Sequence, residues 1–165
     1  MTPMRWHSFA EGDRWRPAPA FRLASAEGRL IALSDYRGRA NLVLFFAHSA
    51  ECPACRAALE SFIARQADYR QQEAEVVIVL PTPEEAAALR SKLALPFPLL
   101  ADPDGATRQA YARLLNSTGE GDAMLFVLDR YGAPFVAAIA GEPDDPMLHG
   151  EILDWLAFIE MQCPE

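Results

Sequence analysis

The sequence predicts an α/β protein with a three-layer α/β/α architecture, a central mixed β-sheet and an N-terminal β-hairpin extension. Two apolar runs, 41–47 and 76–80, have the length and composition of strands that are buried on both faces. A helix signature follows each run: helical spacing of apolar residues after the first, and a capped, proline-led start after the second. The runs 124–129 and 134–140 flank a turn with Gly132 and predict an antiparallel hairpin. Because parallel strands need crossover helices, we expect helices on both faces of the sheet.

The remaining elements complete one domain. The 165 residues fit a single domain, 1–165, in which 1–17 form a polar lead-in. The N-terminal hairpin strands are predicted at 21–23 and 30–33, a short strand at 99–100, and helices at 53–72, 82–95, 107–115 and 144–162. The first helix begins at Cys52 or Pro53, since proline suits a first helical turn.

The composition excludes several classes of function. The formal net charge is −8, and the 15 basic residues, all but one of them arginine, are scattered along the chain. A nucleic-acid partner is therefore not expected. No apolar run approaches the roughly 18 residues of a membrane-spanning helix, so no membrane partner is expected either. Residues 1–19 lack the apolar core of a secretory signal, which favours a cytoplasmic location.

The strongest chemical signal is the motif Cys52-Pro53-Ala54-Cys55, at the junction of a buried strand and a helix. Its spacing brings both sulfurs close enough to form a disulfide in a small ring. Cys52 lies at the helix N-terminus, where unpaired N–H groups and the helix dipole stabilise a thiolate. Cys55 lies one turn further along, less exposed, in position to attack a mixed disulfide formed on Cys52. The motif predicts thiol–disulfide chemistry without a cofactor.

Two other interpretations of these cysteines stay open. A structural zinc site usually needs four ligands, commonly two cysteine pairs. The side chains that could complete such a site with the motif are His7, His48, His149 and Cys163. They form no second pair, so no metal is expected. The other interpretation is that both cysteines are unpaired structural residues in a reducing compartment.

Several segments outside the motif form a further pattern. They are APAFRL at 18–23, Gly28, LSDYRGR at 33–39, VLFF at 43–46, DPDG at 102–105 continuing to Tyr111, and FVLD at 126–129 followed by Gly132. This pattern resembles the peroxiredoxin and redoxin (AhpC/TSA-type) branch of the thioredoxin-fold proteins. The resemblance runs from about Gly12 to the C-terminal helix, and it implies a thioredoxin fold and a redox-active thiol.

The resemblance implies one of two chemistries, of which the first is peroxide reduction. Peroxiredoxins use a proline, a threonine or serine four residues later, a peroxidatic cysteine three further, and an arginine near a later strand. If Cys55 is aligned with that cysteine, the supporting positions hold His48, Cys52 and Ala123. These residues do not supply the hydrogen bonds that polarise a peroxide. A peroxiredoxin-like thiol peroxidase with an antioxidant role is therefore the alternative.

The second chemistry is disulfide exchange, as in reductases with a Trp-Cys-x-x-Cys motif, which Cys52 and Cys55 match. The tryptophan position holds Glu51, whose charge opposes the stabilisation of a Cys52 thiolate by the helix dipole. Ala123 stands where a cis-proline usually faces the disulfide, and Phe46 stands where thioredoxins bury an acid. The motif is intact, but its usual helpers are replaced.

Three auxiliary residues complete the candidate site. His48, four residues before Cys52, could hydrogen-bond the Cys52 thiolate, and Glu51 adjoins it. Cys163 precedes a proline near the C-terminus, where many peroxiredoxins place a resolving cysteine on the partner subunit. A third redox thiol and a homodimer therefore both stay open.

The sequence thus predicts a thiol–disulfide oxidoreductase that exchanges disulfides through Cys52 and Cys55. Its expected partners are protein or small-molecule disulfides and a thiol electron donor. The alternatives are the thiol peroxidase and a non-enzymatic redox-sensing or zinc-binding module.

Overall fold

The computed structural model describes residues 5–9, 16–117, 123–140 and 148–162. The strands are β1 (Arg5–Ser8), β2 (Arg22–Ala24), β3 (Leu30–Ala32), β4 (Asn41–Phe46), β5 (Ala74–Leu80), β6 (Leu99–Ala101), β7 (Ala123–Leu128) and β8 (Pro134–Ala140). The helices are α1 (Pro53–Ala64), α2 (Gln66–Gln71), α3 (Pro83–Lys92), α4 (Ala106–Arg113) and α5 (Leu148–Gln162).

Six of these strands form one mixed sheet in the order β1-β8-β7-β4-β5-β6, and β2 and β3 form a separate hairpin. The strands β4, β5 and β6 run parallel, whereas β7 is antiparallel to both β4 and β8. All six residues of β4 are buried, as expected for a central strand that is covered on both faces. The predicted α/β class, mixed sheet and N-terminal hairpin are confirmed.

Two apolar cores cover the two faces of the sheet. On one face, Phe45 of β4 packs with Leu59 and Phe62 of α1 and with Leu156 of α5. On the other face, Phe46 belongs to a core with residues of α4, β7 and the N-terminal hairpin, among them Tyr111, Phe126 and Ile31. Neighbouring strand residues point to opposite faces, so β4 contributes to both cores. The helices α1 and α5 lie opposite α4, which gives the predicted three layers.

The long helix predicted over 53–72 is in fact two helices. Arg65 leaves helical geometry, with φ −107° and ψ 16°, and separates α1 from α2. The break lets Tyr69 of α2 pack back against α1, where its ring lies 5.6 Å from the ring of Phe62. Burial of that aromatic pair therefore overrides the continuous helical pattern.

Part of the predicted lead-in also forms regular structure. Residues 5–8 make the edge strand β1, which pairs antiparallel with β8. Trp6 holds this strand in place, since its Nε1–H donates to the Glu151 carboxylate at 2.7 Å and its ring centroid lies 6.4 Å from that of Trp155. Residues 144–147, the predicted start of the last helix, lie outside the described residues. Within the described ranges, no helix is long and apolar enough to cross a membrane.

Candidate active site

The C-x-x-C motif lies at the carboxyl end of β4, where a loop of residues 47–52 leads into α1. Here β4 has parallel β5 on one side and antiparallel β7 on the other. The carboxyl ends of parallel strands are the usual position for binding and catalytic groups in α/β proteins. The fold therefore presents both cysteines of the motif at a favourable edge.

Cys52 caps the N-terminus of α1. Its Sγ accepts a hydrogen bond from the backbone N–H of Cys55, with 3.4 Å between sulfur and nitrogen. Its own N–H donates to the Ser49 hydroxyl at 3.1 Å, and Pro53 occupies the first helical turn, where its missing N–H costs nothing. The side chain is partly exposed. A thiolate here lies at the positive end of the helix dipole and stays within reach of a substrate.

Cys55 lies one turn further into α1 and is only 1% exposed. Its Sγ accepts a hydrogen bond from the backbone N–H of His48 at 3.3 Å. The pKa of the Cys55 thiol is raised to about 11, chiefly by burial; the His48 N–H opposes this rise and the Cys52 side chain adds to it. Both cysteines of the motif are free thiols in the structure. Cys55 is thus a shielded, protonated thiol at neutral pH, which suits a resolving cysteine.

The loop before Cys52 is tied to α3 by Glu85. The Glu85 carboxylate accepts hydrogen bonds from the backbone N–H of Ala50 at 3.1 Å and from the Thr82 hydroxyl at 3.0 Å. Thr82 also caps α3 by accepting from the Glu85 N–H at 3.1 Å. The sequence marks 82–85 as a helix start but gives no sign of the contact with Ala50. That contact arises because β4 and β5 are neighbours, which brings α3 beside the loop.

An open pocket of about 240 Å³ lies between the loop and α3. Its ionisable lining residues are Glu51, Glu84, Glu85 and Lys92, and its apolar part comes from Ala50, Ala88 and Leu89. The side chain of Glu51, predicted as an auxiliary residue, is exposed at this wall. Three carboxylates and one ammonium therefore give the pocket next to the motif a net negative lining.

An arginine reaches the same loop from the opposite face of the sheet. Arg108, in the first turn of α4, donates from Nη1 to the backbone carbonyl of Ala47 at 3.2 Å. The buried Asp102 holds this turn, since its carboxylate accepts from the N–H of Arg108 at 2.8 Å and from that of Thr107 at 3.3 Å. The sequence pattern included 102–111 in the family resemblance, but it did not single out Arg108. This hydrogen bond goes to a backbone atom 61 residues away in the chain.

The two remaining auxiliary candidates are His48 and Cys163. The side chain of His48 is exposed, and the contact of this residue with the pair runs from its backbone N–H to Cys55 rather than from its imidazole to Cys52. Cys163 lies outside the described residues. Among the residues that are described, no group of three or more His, Cys, Asp and Glu side chains is placed to hold a metal ion.

The two replaced helper positions hold apolar residues, Phe46 and Ala123. Phe46 faces the α4 side of the sheet, where its ring lies 5.3 Å from that of Tyr111, in a different core from Cys55. Ala123 begins β7 and is buried in the same core as Cys55. Its methyl group can neither donate a hydrogen bond to a peroxide nor carry a charge. Neither residue provides a proton acceptor for Cys55.

Comparison with known proteins identifies the family of this chain. Residues 15–133 match the AhpC/TSA family. The chain belongs to this family. The matched range contains the C-x-x-C motif, Glu85 and Arg108, and membership confirms the resemblance seen in the sequence.

Relatives among curated proteins carry the names of peroxiredoxins. The chain is 38% identical over 94 residues to a Mycobacterium tuberculosis protein named as a putative peroxiredoxin, a match that covers 56% of this chain and 57% of that protein. It is 32% identical over 111 residues to chloroplastic peroxiredoxin Q of Sedum lineare, covering 66% of this chain and 59% of that protein. The chain therefore spans a little over half the length of these relatives.

Solved structures show the same fold. Peroxidoxin BcpB from Mycobacterium tuberculosis superposes with a TM-score of 0.73 at 20% identity, covering 90% of this chain and 96% of that one. A putative thiol:disulfide interchange protein DsbE from Chlorobium tepidum superposes with a TM-score of 0.68 at 27% identity, covering 85% and 95%. The predicted thioredoxin fold is confirmed, and the family and fold together are those of a thioredoxin-fold redox protein. One of these neighbours is named as a peroxidoxin and the other as a putative thiol:disulfide interchange protein.

Proposed function

We propose that this protein is a thiol–disulfide oxidoreductase in which Cys52 attacks a substrate disulfide and Cys55 resolves the product. The asymmetry of the pair carries the proposal: Cys52 is partly exposed at the helix start, whereas Cys55 is 1% exposed behind it. Attack needs a thiolate that a substrate can reach, and resolution needs a shielded thiol close to the first. The N-terminal turn of α1 supplies both.

The reaction cycle balances as two thiol–disulfide exchanges. The Cys52 thiolate attacks one sulfur of the substrate disulfide, expels the other half as a thiolate and forms a mixed disulfide. Cys55 then loses its proton to water and attacks the Cys52 sulfur, which expels the second half. Both leaving thiolates take up protons, so the substrate gains two electrons. The protein is left with a Cys52–Cys55 disulfide, which a thiol electron donor reduces through the same exchanges in reverse.

The pocket between the loop and α3 supports a preference among substrates. Its lining carries Glu51, Glu84 and Glu85 against Lys92. A disulfide with a neighbouring positive charge would be attracted to this wall, and one flanked by carboxylates would be repelled. A protein or small-molecule disulfide of basic character therefore fits the site best, in a reducing compartment such as the cytoplasm.

A comparison of two substrates tests the proposal. We would measure reduction of a disulfide and of hydrogen peroxide, with the same thiol donor, for the wild type, Cys52→Ser and Cys55→Ser. The proposal predicts disulfide turnover that is lost in Cys52→Ser and, before the thiol donor is added, a reaction that stops at one mixed disulfide in Cys55→Ser. Absent turnover in the wild type, or unchanged turnover in Cys52→Ser, would contradict the proposed function. A parallel Cys163→Ser variant shows whether the third cysteine takes part.

A second candidate, peroxide reduction, is favoured by the family and by the names of the relatives. In this reaction a Cys55 thiolate attacks one oxygen of a hydroperoxide, releases an alcohol or water and becomes a sulfenic acid. Cys52 then condenses with the sulfenic acid, which releases water and forms the same disulfide. The methyl group of Ala123 provides no donor for the peroxide. Peroxide turnover that exceeds disulfide turnover and depends on Cys55 would favour this candidate.

A further inference from the structure

One peptide group, between Ala47 and His48, lies between a cation and the buried thiol of the motif. Its carbonyl oxygen, on Ala47, accepts a hydrogen bond from Nη1 of Arg108 at 3.2 Å. Its N–H, on His48, donates to Sγ of Cys55 at 3.3 Å. The C=O and N–H of a peptide group are conjugated and lie in one plane. Arg108 therefore contacts one end of the group whose other end contacts the thiol.

We propose that Arg108 is a positioning residue for Cys55, because its guanidinium orients and polarises the Ala47–His48 amide, which stabilises the charge that forms on the Cys55 sulfur during resolution. A charged donor at a carbonyl draws electron density toward the oxygen and makes the N–H of the same amide a stronger donor. A hydrogen bond to the charged form of a thiol favours that form. The inference rests on the proposed function and adds a residue from outside the motif.

The surroundings of Cys55 explain why such help matters. The side chain is 1% exposed and belongs to an apolar core, where a negative charge is costly without hydrogen bonds. Phe46 lies on the other face of the sheet and Ala123 offers only a methyl group. The backbone N–H of His48, with a smaller contribution from that of Ser49, is therefore the main polar contact through which the fold can stabilise a Cys55 thiolate.

Both ends of this connection are held in place. The N–H of Ala47 donates to the carbonyl of Val79 on β5 at 3.0 Å, which fixes the amide at the end of the sheet. The N–H of Arg108 donates to Asp102 at 2.8 Å, which fixes the first turn of α4. The connection thus links α4 on one face to α1 on the other. Such preorganised donors act without rearrangement when charge develops.

Other charged and titratable side chains lie on the elements that meet at Cys55. They are Cys52 and Arg56 on α1, His48 and Glu51 on the loop, Glu85 on α3, Arg108 on α4 and His149 on α5. Burial lowers the pKa of His149 to about 4, so this residue is neutral when Cys55 reacts. Cys52 raises the pKa of Cys55; by the sign of their charges, the two carboxylates would act in the same direction and the arginines in the opposite one. Of this set, Arg108 is the side chain that contacts the amide bound to the Cys55 sulfur.

The test follows both thiols in one reaction, with every variant carrying Cys163→Ser. A chromogenic aryl disulfide without carboxylates, dithiodipyridine, releases one chromogenic thiol when Cys52 attacks and a second when Cys55 resolves. Ionisation of Cys55 is followed separately from the NMR resonance of its Cβ. The variant is Arg108→Met, which keeps the aliphatic bulk. The matched control is Arg113→Met, an exposed arginine at the end of the same helix.

We expect Arg108→Met to slow the second phase about tenfold, to leave the first phase unchanged, and to raise the pKa of Cys55 by about one unit. At pH 10 the thiolate fraction would fall from about one tenth, given a pKa of about 11, to about one hundredth. Arg113→Met should match the wild type. A slower second phase with an unchanged Cβ titration would mean a merely structural role and would overturn the proposal, as would an unchanged second phase.

A second variant keeps the test decisive if Arg108→Met fails to fold. Arg108→Gln retains a polar donor but removes the charge, and we expect a second phase slowed several-fold with a smaller upward shift of the Cβ titration. An unshifted titration in this folded variant would overturn the proposal. A wild type that shows a first phase but no second phase would remove the proposed function, and this inference with it, so the two failures are distinguishable.

Discussion

Glu85→Ala is expected to release the active-site loop from α3. The substitution removes two carboxylate hydrogen bonds, from the Ala50 N–H at 3.1 Å and from the Thr82 hydroxyl at 3.0 Å. Hydrogen bonds to charged groups contribute about 1.5–3 kcal/mol each when well buried. Because Glu85 and Ala50 are only partly buried, water can replace part of this contribution. We therefore expect the free energy of unfolding to fall by about 1.5–2 kcal/mol in total.

Glu84→Ala is the matched control, because Glu84 lies in the same first turn of α3 and lines the same pocket but is exposed. It removes one charge from the helix start, which costs about 0.3–1 kcal/mol at most. Urea unfolding gives the stabilities, and the chromogenic disulfide gives the rate of disulfide closure. Glu85→Ala should also slow closure several-fold, since the loop carries Cys52. If Glu85→Ala and Glu84→Ala lose equal stability and close at equal rates, the anchoring role of Glu85 is wrong.

Three further predictions concern titrating and buried groups. The second phase of the wild type should accelerate about tenfold per pH unit from pH 7 upward, because Cys55 has a pKa of about 11; a plateau below pH 8 would contradict the burial argument. Burial, and then the charge of Arg65, lowers the pKa of His149 to about 4. The contribution of neutral His149 to the free energy of unfolding is therefore complete above about pH 6.5, the pKa of histidine in the unfolded chain, and is lost as pH falls toward 4. The unfolding constant should then rise up to tenfold per pH unit, and His149→Gln should flatten that dependence in urea titrations at each pH. Tyr69→Phe removes the hydroxyl that bonds His149 Nδ1 at 2.7 Å, and it should cost about 1–3 kcal/mol of unfolding free energy; a loss below 0.5 kcal/mol would show that this buried bond contributes little.

The elements that the sequence predicted are those whose signal is local and repeated. The run 41–47 is apolar at nearly every position because β4 is covered by helices on both faces, and this composition is readable without a structure. The edge strand β1 escaped prediction because four residues show too little alternation, and its position depends on β8, more than a hundred residues away. The break at Arg65 escaped for a similar reason, since it follows from the burial of Tyr69 against Phe62.

The candidate site likewise contains residues that the sequence could reveal and residues that only the fold reveals. Cys52 and Cys55 are only three positions apart in the chain, so their spacing alone indicates a redox pair at a helix start. Glu85 and Arg108 reach the loop through backbone atoms of Ala50 and Ala47. Every residue has such atoms, and the contacts depend on which strands are neighbours. No spacing rule in one sequence can reveal them.

The assignment of roles within the pair is the central claim, and trapping tests it most directly. In the Cys163→Ser background, Cys55→Ser treated with the chromogenic disulfide should release one equivalent of chromogenic thiol and hold the other half of the reagent on Cys52, where peptide mass spectrometry would locate it. Cys52→Ser should react far more slowly, because the remaining thiol of the motif is buried and protonated. Rapid labelling of Cys55 in Cys52→Ser, with no adduct on Cys52 in Cys55→Ser, would contradict the account.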